Sequence, residues 1–319
     1  MEKEKLSKKD LKRLEKRLTS NKKKTIMETL DEIHELMDKK TVKILTSLLE
    51  ELPNPDDWDI RQKIISILGD LGSKNAVPHI LPFLLDGNPL VREGTAYALG
   101  QIGDKRAVMN LVVLLQDKEF TVRENAANAL SRIGDARAVD ALVGTATSDD
   151  PEYRLSVIPA LTAFGDFDSV IDALVEGMKD DVTQVRFPAI IAFNKIKSPK
   201  AVEPLIDNLE SDDPLLQKVS ADALVYNLGW GSIKDGKLTK FGQKRREYLN
   251  NQLAKRQIQG EAKGTRNEAR AIDALEDEHV TFTDITRGIC ELLDLSKEQE
   301  NTLREYLGTL DQDHEIVKK

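Results

Sequence analysis

At 319 residues, 40 % hydrophobic and only 5 % aromatic, with a formal net charge of −8, the chain can bury a long core, and its aliphatic bias suits helix-on-helix packing. No run approaches the roughly 18 consecutive apolar residues of a spanning helix, and the opening MEKEKLSKKD lacks a signal peptide's apolar core, so membrane and secreted classes are excluded from expectation. A single cysteine, Cys290, leaves no internal disulfide and fits a soluble protein of the reducing cytoplasm.

Charge falls in blocks of +7 over residues 1–24, −14 over 25–231, +6 over 232–268 and −7 over 269–319. The first block opens with a capping box, Ser7 with Asp10, which predicts a basic helix to about Leu18 within residues 1–22. Leu6, Leu11, Leu14 and Leu18 form its apolar stripe. Residues 23–39 read as the second helix of a degenerate first repeat, because Thr41-Val42 stands where later Ala-Val pairs stand. The next unit carries about four extra residues around Leu52-Pro53-Asn54-Pro55. From there a basic residue recurs every 31 or 32 positions, at Arg61, Arg92, Arg123, Arg154, Arg186 and Lys218. Each is followed by a closing Gly or Lys (Gly72, Gly103, Gly134, Gly165, Lys197, Gly229), and the first five of these by a small-Val pair such as Ala107-Val108; after Gly229 the pattern stops. A period of that size means a solenoid. Each unit reads as two helices, for example 92–103 and 107–117, with apolar residues at i, i+3, i+4 and i+7 and Gly at the C-terminus where positive φ is needed. Neither helix buries its stripe alone, so the units must stack.

The solenoid is expected over 23–230. Beyond it, residues 231–319 read as a C-terminal helical module: a helix over 239–258, a flexible joint at 259–264, and short helices near 267–277, 283–294 and 297–308. Capping boxes open the last two, Thr281 with Asp284 and Ser296 with Gln299.

These residues resemble the short HEAT-like repeats of the phycobilisome-lyase type, whose pattern is D-x-x-V-R…A-L-G-x-I-G-D…A-V…L. The match is best over 117–134 and 99–115, and it covers about two thirds of the chain. It implies an all-α solenoid of about six helix pairs. It says little about activity, because such repeats serve in lyases, in a di-iron hydroxylase, in DNA-repair enzymes and in scaffolds. The hydroxylase places His-Glu pairs in several repeats, whereas this chain has one, His34-Glu35, so that activity is not expected.

Four histidines, His34, His79, His279 and His314, share no helical face, so no metal site is expected, nor any cofactor. Gly231 to Leu238 nearly spells a phosphate-binding loop, but Leu238 stands where Ser or Thr would hold magnesium, and a turn is expected instead. No residue set argues for catalysis. The resemblance alone leaves a lyase-like enzyme subunit as the weakest alternative.

The repeat fixes which positions face where. Counting the basic residue as zero, offsets +4, +7 and +10 (Ile65, Leu68, Leu71; Ala96, Leu99, Ile102) are core. Offsets +1, +5 and +9 lie opposite and are expected to line the concave surface. They are polar at first, as in Glu93, Tyr97 and Gln101. They then turn apolar over three repeats: Leu155, Pro159 and Ala163; Phe187, Ile191 and Lys195; Val219, Ala223 and Asn227. Exposed apolar columns point to a protein contact through Leu155, Pro159, Phe187, Ile191 and Val219 with Tyr97 beside them, unless the C-terminal module covers them. The chain thus reads as a non-catalytic adaptor that holds a protein partner during assembly or maturation of a complex. The alternative is a factor that grips RNA, DNA or the ribosome through its basic segments, chiefly Lys240, Lys244, Arg245, Arg246, Lys255 and Arg256 with Phe241 and Tyr248 among them. The arginine column, Arg92, Arg123 and Arg154, is expected to pair with Asp104, Asp135 and Asp166 as a ladder between repeats.

Overall fold

The computed structural model describes residues 6–227 apart from 21 and 53, the short pieces 233–234 and 237–238, and a few residues between 296 and 302. Among them are fourteen α-helices, and the chain divides into two compact units, Met1–Ala173 and Leu174–Lys319. The helices expected over 239–258, 267–277 and 283–294 lie outside the described residues.

The first unit begins with α1 (Lys8–Leu18), capped by Ser7 and Asp10 as expected, which lays Leu14 and Leu18 on α2 (Lys23–Leu36). Helices then come in pairs: α3 (Val42–Glu50) with α4 (Trp58–Asp70), α5 (Val77–Ile80) with α6 (Pro89–Ile102), α7 (Val108–Leu114) with α8 (Phe120–Ile133), and α9 (Val139–Ala146) with α10 (Pro151–Leu161). A further helix, α11 (Asp168–Gly177), follows. The second helices α4, α6, α8 and α10 stack side by side. Small residues let them approach closely: a methyl built on Gly100 would lie 2.8 Å from Ala129 Cα. The expected core positions Ile65, Leu68, Leu71, Ala96, Leu99 and Ile102 are all buried.

Gly72, Gly103 and Gly134 close their helices with φ of 62°, 68° and 64°. Gly165 departs from that expectation, with φ −63°. The cause is Pro159, which lacks the N–H that would bond Leu155 O; α10 ends two residues later in a 3-10 turn, Thr162–Phe164, and leaves without a left-handed residue.

The arginine ladder exists, but its partners differ from expectation. Arg61 Nε donates to Asp86 Oδ2 at 2.9 Å and Arg92 Nε to Asp117 Oδ2 at 2.7 Å. Both arginines are buried, and each also donates to loop carbonyls, Arg61 to Asn54 O and Arg92 to Asp86 O. Asp104 and Asp135 do other work. Each caps the turn before the next first helix and holds Arg106 or Arg137, whose guanidinium reaches back to Lys74 O or Lys105 O of the preceding repeat. The Arg106 and Arg137 hydrogen bonds, then the capped backbone N–H, lower the Asp104 pKa to about 2 and that of Asp135 further.

In the second unit, α12 (Thr183–Ala192) packs on α14 (Pro214–Asn227), and α13 (Val202–Asp207) lies against α14. Asn227 ties its repeat together: its Nδ2 donates to Phe193 O at 2.7 Å and its Oδ1 accepts from Ser198 N at 2.8 Å. Strands Ile233–Lys234 and Lys237–Leu238 pair antiparallel, so this segment reverses direction as expected, though as a short hairpin within an otherwise helical fold. The Ser296–Gln299 capping box also forms, with Ser296 N donating to Gln299 Oε1 at 2.8 Å and Gln299 N to Ser296 Oγ at 3.2 Å.

Candidate functional site

In the first unit Ser66, Asp70, Tyr97, Gln101, Asn128, Arg132, Pro159 and Ala163 are exposed, while the +1 residues Gln62, Glu93, Glu124 and Leu155 are half-buried. Between α2 and α4, and between α6 and α8, this surface is occupied by polar contacts between neighbouring helices. Lys63 Nζ meets Asp31 at 2.8 Å, and His34 Nε2 meets Asp70 Oδ2 at 2.9 Å. Arg132 Nη1 donates to Gln101 Oε1 at 2.9 Å, Gln101 Nε2 donates to Tyr97 Oη at 2.7 Å, and the guanidinium lies 5.8 Å from the Tyr97 ring centroid. This triad was not legible in the sequence, because it joins residues 31 apart on adjacent helices. Tyr97, 46 % exposed, is therefore oriented by polar partners. It sits on α6, separated by α8 from Leu155 and Pro159 of α10.

In the second unit, Ile191 is 38 % exposed and Phe187 and Val219 are half-buried, on the packed helices α12 and α14. Two expected water-facing residues do not face water. Ala223 is fully buried, and Asn227 is half-buried with its amide spent on Phe193, Ala223 and Ser198, because α14 closes against the preceding repeat there. The described start of the C-terminal helix meets the other layer of the last repeat: Ser296 Oγ donates to Glu210 Oε1 at 2.6 Å and Gln299 Nε2 to Ile206 O at 3.3 Å.

Lys240, Lys244, Arg245, Arg246, Lys255 and Arg256 lie outside the described residues, as do Phe241, Tyr248 and Cys290. The basic N-terminal segment is partly neutralised within the chain, since Glu32 accepts from both Arg13 and Arg17 of α1, and Lys23 at the start of α2 pairs with Asp59 at 2.7 Å. His79 Nδ1 meets a single carboxylate, Glu50 Oε1, at 2.5 Å. Among the described residues no group of three or more His, Cys, Asp or Glu converges as a metal site would require. No helix among them is long and apolar enough to cross a membrane.

A family model described as HEAT repeats matches three overlapping stretches, 45–112, 77–161 and 145–225. No curated protein sequence matches the chain. Solved structures with a similar fold include the complex of CpcE and CpcF of phycocyanin lyase from Nostoc sp., at 18 % identity over 78 % of this chain and 95 % of that one, TM-score 0.43. The Escherichia coli protein YibA is similar at 18 % identity over 92 % and 99 %, TM-score 0.48. Human deoxyhypusine hydroxylase is similar at 18 % over 69 % and 85 %, TM-score 0.35. With the model covering more than half of the chain, and helix pairs repeating every 31 or 32 residues beneath it, this protein belongs to the HEAT-repeat family.

Proposed function

We propose that the chain is a non-catalytic cytoplasmic scaffold that holds a protein partner against the exposed face of its second helices and serves the assembly or maturation of a larger complex. One observation carries the reading: at offsets +1 and +5, where earlier repeats place Glu93 and Tyr97 or Glu124 and Asn128, later ones place Leu155 and Pro159, then Phe187 and Ile191, without burying them fully. Water-facing apolar columns on a repeat scaffold favour a protein contact. The −14 charge of residues 25–231 disfavours phosphate and favours a partner with basic residues around an apolar face.

The test replaces Phe187 and Ile191 together with Asp and measures partner capture from the native host by affinity purification, beside helical circular dichroism and Tm. Loss of capture with Tm held within a few degrees supports the scaffold. A double variant that unfolds, or that loses several kcal/mol as buried apolar residues do, places these side chains in the core and removes the proposal.

A further inference from the structure

Two irregularities of the repeat in the first unit face one groove. From Val42 to Val77 the chain runs 35 residues, against 31 from Val77 to Val108. The extra residues form the loop that includes Leu52, Asn54 and Pro55. The following first helix is also remodelled. Where α7 and α9 run on, α5 stops at Ile80 and continues as a 3-10 turn, Leu81–Leu85. Pro82 has no N–H for the carbonyl of Pro78, and its ring crowds that carbonyl. Insertions in repeat proteins gather on the face that binds.

Between the loop and the turn lies an open groove of about 860 Å³, within the size range of ligand sites. Leu49, Leu52, Pro55, Pro78, Pro82 and Phe83 give it apolar walls. The groove is already formed. Arg61 in its floor holds the inserted loop through Asn54 O at 2.6 Å and Pro55 O at 3.3 Å while it pairs with Asp86, and Asn54 Oδ1 caps Asp56 N at 3.1 Å. With Arg61 and Asp86 engaged to each other, no charged group in the floor remains for an anionic ligand. The loop beside the groove is acidic: Glu51 and Asp56, next in sequence to the lining residues Leu52 and Pro55, are exposed, and so is Glu50 on the groove itself, whose Oε1 meets His79 Nδ1 at 2.5 Å. Beyond the turn the apolar surface continues onto α7, which packs on residues 81–85 and leaves Met109 and Val113 54 % and 61 % exposed, one repeat on from Pro78 and Pro82.

We propose that this groove is a second binding site, on the first-helix layer, for a short peptide segment of a partner protein. An apolar or aromatic side chain seats against Leu52, Pro82 and Phe83, and flanking Lys or Arg residues face Glu50, Glu51 and Asp56. Apolar walls supply affinity, and the acidic side chains select basic over acidic flanks. The site does not involve the second-helix columns, so either can fail alone.

Selection of a random peptide library displayed on phage against the immobilised full-length chain tests it, with dye-labelled copies of the enriched peptides then titrated by fluorescence anisotropy. Enriched peptides are expected to pair Leu, Phe or Trp with adjacent Lys or Arg. Affinity should fall by about tenfold or more in Phe83→Ala, in Leu52→Asp and in the Glu50→Gln, Glu51→Gln double variant, and stay unchanged in Ile191→Asp. Leu52→Asp, in the inserted loop, keeps the test decisive should Phe83→Ala lose helical circular dichroism. The proposal is overturned if no peptide is enriched, if the enriched peptides carry acidic flanks, or if they bind the groove variants as tightly as the parent chain.

Discussion

Arg61 and Arg92 are each closed by an aspartate 25 residues on, but the same offset from Arg123 meets Ser148, and from Arg186 it meets Ser211. In both of these repeats the arginine Nε is buried without a hydrogen-bond partner. Arg123, 1 % exposed, rests instead on the Tyr153 ring at 4.0 Å and reaches Glu152 at 3.4 Å. A buried donor left unmade is costly, so Ser148→Asp should stabilise the chain by about 1 kcal/mol even with Asp149 and Asp150 beside it. The reverse change, Asp117→Ser, should cost roughly 2–3 kcal/mol by stranding Arg92. Urea midpoints of the two variants check both signs. A Ser148→Asp chain weaker than its parent would show that the local acids outweigh the recovered hydrogen bond.

Two glycines constrain their helices for different reasons. Gly134 has φ 64° and its nearest neighbour, Ser131 O, lies 4.0 Å from a built Cβ, so Gly134→Val should cost roughly 1–2 kcal/mol from backbone strain alone. Gly100 sits in ordinary helical geometry but against Ala129, so Gly100→Ala should cost about 1–3 kcal/mol by pushing α6 from α8. Thermal unfolding separates the two mechanisms: Gly134→Asn should recover much of the loss because Asn tolerates the left-handed region, whereas no larger residue rescues position 100. The prolines work at the same scale. Pro159 shortens α10, and Pro82 turns α5 into the 3-10 segment that opens the groove. The helix signal of the sequence is periodic, and a proline inside it reports an ending without saying which surface the ending exposes.

At the scale of the molecule, the described aspartates that are shifted from the ordinary carboxylate value fall on opposite sides of it in the two units. Asp104 and Asp135 are held below the ordinary carboxylate value by hydrogen bonds from Arg106 and Arg137. For Asp117, burial is the largest single effect and pushes the pKa up, but the Arg92 hydrogen bonds, the Glu119 N–H and the Arg92 and Lys118 charges together outweigh it. In the second unit burial raises Asp207, with Glu203 and Glu210 adding to it, and burial raises Asp222. A carboxylate with a lowered folded pKa contributes stability above its unfolded value of 3.8 that is lost as pH falls toward about 2. One with a raised pKa gains folded-state stability on protonation. Acidification from about pH 5 should therefore open the first unit while relieving the second. Hydrogen exchange at decreasing pH should show protection falling first around α6 to α8, with a shallower fall in Asp104→Asn. Equal loss in both units would contradict this division.

The sequence by itself determined the period, the helix pairs, the buried offsets and the face on which Leu155, Phe187 and Ile191 are presented, because a 31-residue repeat sets each side chain's direction through helical spacing alone. The capping boxes at Ser7 and Ser296 were legible for the same reason, since their partners lie three residues away. Only the tertiary structure decided what depends on the distance between repeats. It matched Arg92 with Asp117 rather than Asp104, tied Arg132 to Gln101 and Tyr97, turned Ala223 inward, and set Leu52 and Pro55 on the same groove as Pro82. Those contacts arise where the helices and loops of adjacent repeats meet, and nothing in the spacing along one chain fixes which atoms come within reach of each other when the helices stack.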